Sequence, residues 1–378
     1  MKDLGEKYCL TNLLNSPGNF TASKLKWVKD NEPGIYRKIS RMMLPGDYLA
    51  MKLTGEIRTT VSGLSEGVLW NFAAMGLASD LLDYYGIDLS MIPQVVPVFS
   101  EQGWISGMAA KELGLSAGIP VTYRAGDQPN NAFSLNVLNP GEVAATAGTS
   151  GVVYGITDQP QYDPESRVNT FVHVNHDARR PRYGVLLCIN GTGILNSWLK
   201  QNTGDLEYNA MNRKASQSPV GARGLTVLPF GNGAERVLGN RELQASIAGL
   251  NFNIHNRNDL YRAGQEGIVF AMKYGFDIMK SMGMPIKTVN AGKANMFLSP
   301  LFREAFVNTT GTTLRLFNTD GSQGAARGAG LGAGIFGNFK EAFTGLRTLA
   351  EIRPDKNNSK KYQQAYNNWL KHLNKQLI

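Results

Sequence analysis

The sequence predicts an α/β chain of two domains, and three observations carry that expectation. The chain has 378 residues, 42% of them hydrophobic. That is enough for two domains at ~100–200 residues each, with length to spare for a large core. Glycine occurs 42 times while charged residues make up only 18%, a composition of tight turns between packed elements rather than of disorder. The texture changes at Asn139-Pro140-Gly141. Helical patterns dominate before that turn, and β-rich runs alternating with helices follow it.

Taken in order, residues 1–20 are rich in Asn, Ser, Pro and Gly and read as irregular. Residues 21–29 read as a helix with Thr21 as N-cap and with Leu25 and Val28 on one face. Leu44-Pro45-Gly46 turns into a second helix at 44–53, stopped by Thr54-Gly55-Glu56. Ser79–Tyr85 and 109–115 are further helical patterns, and 121–125 reads as a short strand. Beyond residue 140, Glu142–Ala147 and 152–154 form a hairpin around Gly148-Thr149-Ser150-Gly151. Helices follow at 195–201, 260–281 and 300–309, with a strand at 287–290. Residues 321–336 are either a low-complexity linker or a closely packing helix of small residues, since Ala and Gly recur at helical spacing. Residues 340–378 read as a polar, helical tail. The expected division is 1–139, 140–345 and a tail at 346–378.

The stretch that carries chemistry is 125–154. Asp127 stands in a Gly-Asp-Gln turn, 21 residues before Gly148. A carboxylate at the mouth of a pocket accepts a proton from a hydroxyl, while a Gly-Thr-Ser-Gly tip offers backbone N–H groups and hydroxyls to phosphate oxygens. Together they point to phosphoryl transfer to an alcohol. A turn-capping aspartate and an ordinary hairpin tip are the structural alternatives. Asn190-Gly191-Thr192-Gly193 opens an apolar helix and reads equally as a phosphate-side turn or a plain cap. Trp70, among apolar neighbours, reads as core before it reads as pocket wall.

The totals exclude other classes. A formal charge of +9 favours anionic ligands or is simply a solvated surface. No zinc-finger spacing, aromatic RNA-binding strand or basic zipper helix is present, so no nucleic acid partner is expected. Cys9 and Cys188 form no metal or redox motif, and the four histidines show no ligand spacing. No apolar run has the ~18 residues of a membrane helix, and MKDLGEKYCL lacks the pattern of a signal peptide. The expectation is a cytoplasmic protein without a membrane partner.

Four segments together resemble the FGGY carbohydrate kinases, and within them the xylulokinase branch. These are TASKLKWVKDNEP (21–33), LPGDYLAMKLTGE (44–56), the 125–151 segment and SIAGLNFNIHNRNDLYRAGQEG (246–267). Their order and spacing make the resemblance specific, and it runs from about residue 15 to 336. It implies an actin-like, ribonuclease H-like ATPase architecture of the hexokinase type, with two domains around a cleft. On that basis 1–139 is what remains of a sugar-binding N-terminal domain and 140–345 is a nucleotide-binding C-terminal domain. The family's opening hairpin, with an Asp-x-Gly-Thr loop, has no counterpart before Thr21, so the first domain is expected to be truncated.

The resemblance implies ATP and Mg²⁺ as co-substrate and metal, and a small sugar as acceptor. It makes Asp127 the general base, in contact with both sugar and metal, and Gln128 a sugar contact. It sets Gly148, Thr149 and Ser150 against the β- and γ-phosphates, Gly191 near the phosphates, and Gly292 and Asn295 against the adenosine. Here Ala291 and Lys293 interrupt the family's glycine run, and the continuation through Asn295 and Phe297 is more similar to the glycerol kinase form. The implied reaction converts D-xylulose to D-xylulose 5-phosphate. Glycerol, ribulose or gluconate as acceptor, and a non-catalytic nucleotide-binding fragment, remain alternatives. A homodimer is compatible with either.

Overall fold

The structure is a computed structural model and describes residues 4–204 and 207–378. Its contacts divide into two units. The first takes the chain up to Pro140, then Ile156–Gly184 and Thr319–Leu346; the second takes Gly141–Gly155, Val185–Asn318 and Arg347–Ile378. The chain thus returns twice to the first unit after residue 140, which the three-part sequence division does not contain. Nothing in a linear pattern signals a return of that kind.

The first unit is mostly helical. Leu25, Leu64, Leu81 and Leu82 bury their side chains together, joined by Cys9 and Leu13 from a stretch expected to be irregular. That stretch contains the helical turns Glu6–Tyr8 and Cys9–Leu13. Its apolar side chains at 9, 10, 13 and 14 face the core, and the burial outweighs the poor helix formers around them. The helix Thr21–Asn31 starts at an extended Phe20 with no side-chain cap, so Thr21 is its first turn rather than its N-cap. Pro45–Thr54 ends where Gly55 takes φ 82°, as the Thr-Gly-Glu stop predicts. The helix expected at 109–115 is Gly107–Leu113: Ser106 caps it by accepting the Ala109 N–H at 3.2 Å, and Gly114 closes it at φ 67°.

Residues 121–125 do not form a strand. Single bridges, Phe99 to Tyr123 and Trp104 to Pro120, are what tie the segment down. Backbone hydrogen bonds from Ser100 and Gln102 to the Thr122 and Val121 carbonyls, 3.2 and 2.8 Å, add to the bridges, and Tyr123 is stacked on Phe99 at 5.3 Å between centroids and tilted against Phe133 at 5.8 Å. The glycine-rich segment resolves as a helix, Gly321–Gly332. It lies against the helix Asp127–Ser134 so closely that a Cβ on Gly324 would come within 2.6 Å of the Ser134 Cβ. Asn130 donates to the Gly321 carbonyl at 2.8 Å across the same contact. The small residues are therefore there for approach distance, not for flexibility.

The second unit is built on a sheet. Thr288–Gly292 lies at its centre, flanked in parallel by Thr313–Phe317 and Glu142–Ala147. Gly151–Thr157 pairs antiparallel with Glu142–Ala147, and Thr348–Ile352 pairs antiparallel with Thr313–Phe317. The last of these corrects the all-helical reading of 340–378. Alternation in Thr348–Ile352 and the cross-strand ion pair of Arg315 with Glu351, 2.8 Å, make it an edge strand. Gly151 pairs with Ala147 inside the hairpin, so the connecting tip is Gly148-Thr149-Ser150.

Two long helices cover this unit. In Arg257–Ser281, Asn256 accepts the Asn258 N–H at 2.8 Å while Asp259 accepts the Asn256 N–H at 3.0 Å, which fixes its start. Lys356–Leu377 is capped by Asp355 and buries Tyr362, Tyr366, Trp369 and Leu373, one stripe at helical spacing. Trp369 is fully buried and donates its indole N–H to the Val227 carbonyl at 2.9 Å. Trp369→Ala is expected to lower the unfolding free energy by about 3–5 kcal/mol, since it opens a cavity and orphans that carbonyl. Urea unfolding reads this directly, and a loss under about 1 kcal/mol contradicts the packing described.

Candidate active site

Asp127 is the first residue of the helix Asp127–Ser134. Pro129, Ala132 and Phe133 of that helix are buried, and the Phe133 ring meets Phe343 at 5.2 Å and Phe99 at 5.5 Å. Anchoring the far face in aromatic core leaves the N-terminal end at the surface, with Asp127 exposed. The Gln128 amide donates to Asp127 Oδ2 at 3.0 Å and the Gln128 N–H to Oδ1 at 2.9 Å. Gln128, expected as a sugar contact, holds the carboxylate in this structure.

A cavity of about 360 Å³ opens beside Asp127 within the first unit, lined by Pro45, Asp47, Thr60, Glu66, Arg124 and Gly126 among others. Its polar wall is built by a buried network. Arg124 donates to Gln102 at 2.6 Å, to Asp47 at 3.1 Å and to the Arg58 carbonyl. Asp47 also accepts the Thr59 hydroxyl at 2.9 Å. The residue that sequence reasoning missed is Glu66. Its carboxyl lies against the Cα of Gly126, where any Cβ would overlap it. The space left by the missing side chain of Gly126 is occupied by Glu66. Burial first, and then the nearby Asp127 charge, push the Glu66 carboxyl up to about 8. No local motif around Glu66 announces this, because the contact joins residues sixty positions apart in sequence.

In the second unit, three of the expected loops come together. The Gly193 N–H donates to the Gly148 carbonyl at 2.8 Å and the Ile194 N–H to the Thr149 carbonyl at 3.2 Å. The Asn190–Gly193 turn is thereby stitched to the hairpin tip. Thr192 occupies the N-cap position of the helix Gly193–Thr203 without capping it by its side chain; its hydroxyl donates to the Ile189 carbonyl at 3.0 Å. Glu235, fully buried, accepts the N–H groups of Asn190 and Gly191 at 3.0 and 3.2 Å. Burial raises its carboxyl to about 7 against the pull of those two amides. Asn295, at φ 52°, reaches the tip as well: a Cβ on Gly148 would lie 3.5 Å from its amide nitrogen. Gly292 ends the central strand opposite Phe317, which puts the 292–295 loop at that edge. Thr149, Lys293 and Asn295 are exposed there.

Other side chains separate from these sites. Trp70 is half-buried in a two-residue strand, packs against two apolar clusters and does not line the Asp127 cavity. His173 is fully buried beside the Val137 carbonyl at 3.1 Å, and burial lowers its pKa to about 3. Among the described residues, no group of three or more His, Cys, Asp or Glu side chains is gathered to hold a metal, and no helix is long and apolar enough to cross a membrane.

Comparison with known proteins identifies the family of the chain. The N-terminal domain of the FGGY family of carbohydrate kinases matches residues 6–134, and the C-terminal domain of the same family matches residues 143–335. The xylulose kinase of Haemophilus influenzae is 27% identical over 361 residues, 94% of this chain and 72% of that protein. The xylulose kinase of Escherichia coli is 29% identical over 342 residues, 89% of this chain and 68% of that protein. Among solved structures, the xylulose kinase of Rhodospirillum rubrum superposes with a TM-score of 0.86 at 23% identity, covering 99% of this chain and 76% of that one. Plasmodium falciparum glycerol kinase with ADP gives 0.88 at 22% identity, covering 99% and 75%. With both family domains matched in order along a chain of the same α/β actin-like fold, this protein belongs to the FGGY family of carbohydrate kinases and is a sugar kinase.

Proposed function

We propose that this kinase transfers the γ-phosphoryl group of ATP to a hydroxyl of D-xylulose, giving D-xylulose 5-phosphate. The observation that carries the reading is Asp127: an exposed carboxylate at a helix N-terminus, steadied by Gln128, beside a polar cavity of about 360 Å³. In the proposed step the acceptor hydroxyl gives its proton to Asp127. Its oxygen bonds to the γ-phosphorus as the bond to the β,γ-bridging oxygen breaks and ADP leaves. Gln128 keeps the carboxylate aimed.

The nucleotide belongs, in this reading, to the second unit. Gly148, Thr149 and Ser150 serve the β- and γ-phosphates, Gly191 the phosphate side, and Gly292 and Asn295 the adenosine. The stitched loops support this, since they form a narrow surface of glycine backbone and hydroxyls that a phosphate chain can approach. Mg²⁺ carried by the phosphates would neutralise charge there and would need only one or two protein carboxylates, of which Asp127 is the one proposed.

Xylulose is favoured by the names of the relatives above. A different acceptor is the second reading, favoured by the equal likeness to gluconate kinase from Lactobacillus acidophilus, TM-score 0.85, and to the glycerol kinase. A panel of D-xylulose, ribulose, gluconate and glycerol with ATP, read as ADP release, decides. The expected result is the highest kcat/KM on D-xylulose. A higher value on another acceptor replaces it, and nucleotide binding without turnover on any acceptor overturns the catalytic reading.

A further inference from the structure

Two residues that line the Asp127 cavity each carry a buried polar atom without a hydrogen-bond partner. Glu66 Oε1 and Arg124 Nη2 are both buried without a hydrogen-bond partner. Both residues line the cavity together with Asp127. Buried polar atoms are almost always paired, so two orphans around one cavity call for a polar occupant. One is a donor in a fixed guanidinium fork, and the other belongs to a carboxyl that both donates and accepts when neutral. A polyol supplies complementary groups to both.

Glu66 is the more informative of the two because its position is held from both sides. It ends the helix Val61–Glu66, whose residues Ser62, Gly63, Leu64 and Ser65 are all buried, and Thr60 caps that helix through the Gly63 N–H at 3.1 Å. The carboxyl is pressed onto Gly126, whose N–H hydrogen-bonds it. Glu66 is therefore held one residue from Asp127. The charged and titratable groups around it are Asp127, Asp47 and Tyr123, with Arg124 on the same wall.

We propose that Glu66 is a substrate-binding residue whose Oε1 takes a hydroxyl of the sugar acceptor adjacent to the one that Asp127 deprotonates. The inference rests on the assignment of this cavity to the acceptor. The direction of the Glu66 shift supports it: as a neutral acid it donates to a hydroxyl and adds no second negative charge beside Asp127.

The test is calorimetric binding of the acceptor selected by the panel to the full chain, without nucleotide, for wild type, Glu66→Ala and Glu66→Gln. Glu66→Ala is expected to raise the sugar Kd about tenfold, ~1.4 kcal/mol at 25 °C, and to leave the ADP Kd within about twofold. Glu66→Gln, which keeps a neutral donor and acceptor, is expected to restore most of the affinity. Wild type should discriminate against the deoxy analogue that lacks the partner hydroxyl, and Glu66→Ala should not. A sugar Kd within twofold of wild type in Glu66→Ala overturns the proposal while leaving the cavity assignment standing. Should that variant fail to fold, the wild type decides: a deoxy analogue bound as tightly as the parent sugar overturns the proposal. Wild type that binds no acceptor overturns the assignment of the cavity itself.

Discussion

Asp127→Ala is expected to lower kcat for sugar phosphorylation by about 10²–10⁴-fold, the contribution of a positioned general base, while the ATP or ADP Kd stays within about twofold. The structure makes the variant clean. Asp127 is exposed and, among the described residues, its carboxylate hydrogen-bonds to its neighbour Gln128, whereas the helix it begins is held by Phe133 and its aromatic neighbours. The fold should survive, so the loss is read as chemistry. Coupled ADP release gives kcat, and nucleotide titration gives Kd. Near-normal turnover in this variant refutes the assignment of the base.

Gly191→Ala is expected to act on the other substrate. A Cβ at this position would overlap the Pro229 carbonyl oxygen, and no side-chain rotation relieves a clash with backbone. The turn can move only by breaking what holds it: the Glu235 carboxyl on the Asn190 and Gly191 amides, and the Gly193 N–H on the Gly148 carbonyl. A cost of about 1–3 kcal/mol in stability is expected from the forced shift. The ADP Kd is expected to rise at least tenfold, because the hairpin tip moves with the turn. Sugar binding by calorimetry should remain within twofold. An unchanged ADP Kd in a folded variant removes the 190–193 turn from the nucleotide site.

The parts of this site that were legible in sequence share one property: their geometry is set by neighbours along the chain. The hairpin Glu142–Ala147 to Gly151–Thr157 follows from alternating β-branched and small residues around a Gly-Thr-Ser tip. The helix after Asn190-Gly191-Thr192 follows from its apolar spacing, and Asp127 stands out because it sits in a Gly-Asp-Gln turn. The misread elements were those in which distant packing outweighs local preference. Residues 121–125 look extended, yet they form isolated bridges and single backbone hydrogen bonds to 99–103 rather than a strand, with Tyr123 packed on the Phe99 and Phe133 rings. Thr348–Ile352 sits in a polar, helix-rich segment and becomes a strand because Thr313–Phe317 offers it a free edge and Arg315 a charge partner.

The sequence by itself determined the family, the order of the chemical segments and the identity of the proposed base, because these are carried by short runs of residues whose types and spacing are the signal. Only the tertiary structure decided that Glu66 presses on Gly126, that Asn295 and the 190–193 turn reach the Gly148 tip, and that the glycine-rich segment 321–332 is a helix packed on the one Asp127 begins. Each of those is a contact between segments far apart along the chain. Its energy comes from burial and close approach in three dimensions, which no window of sequence contains.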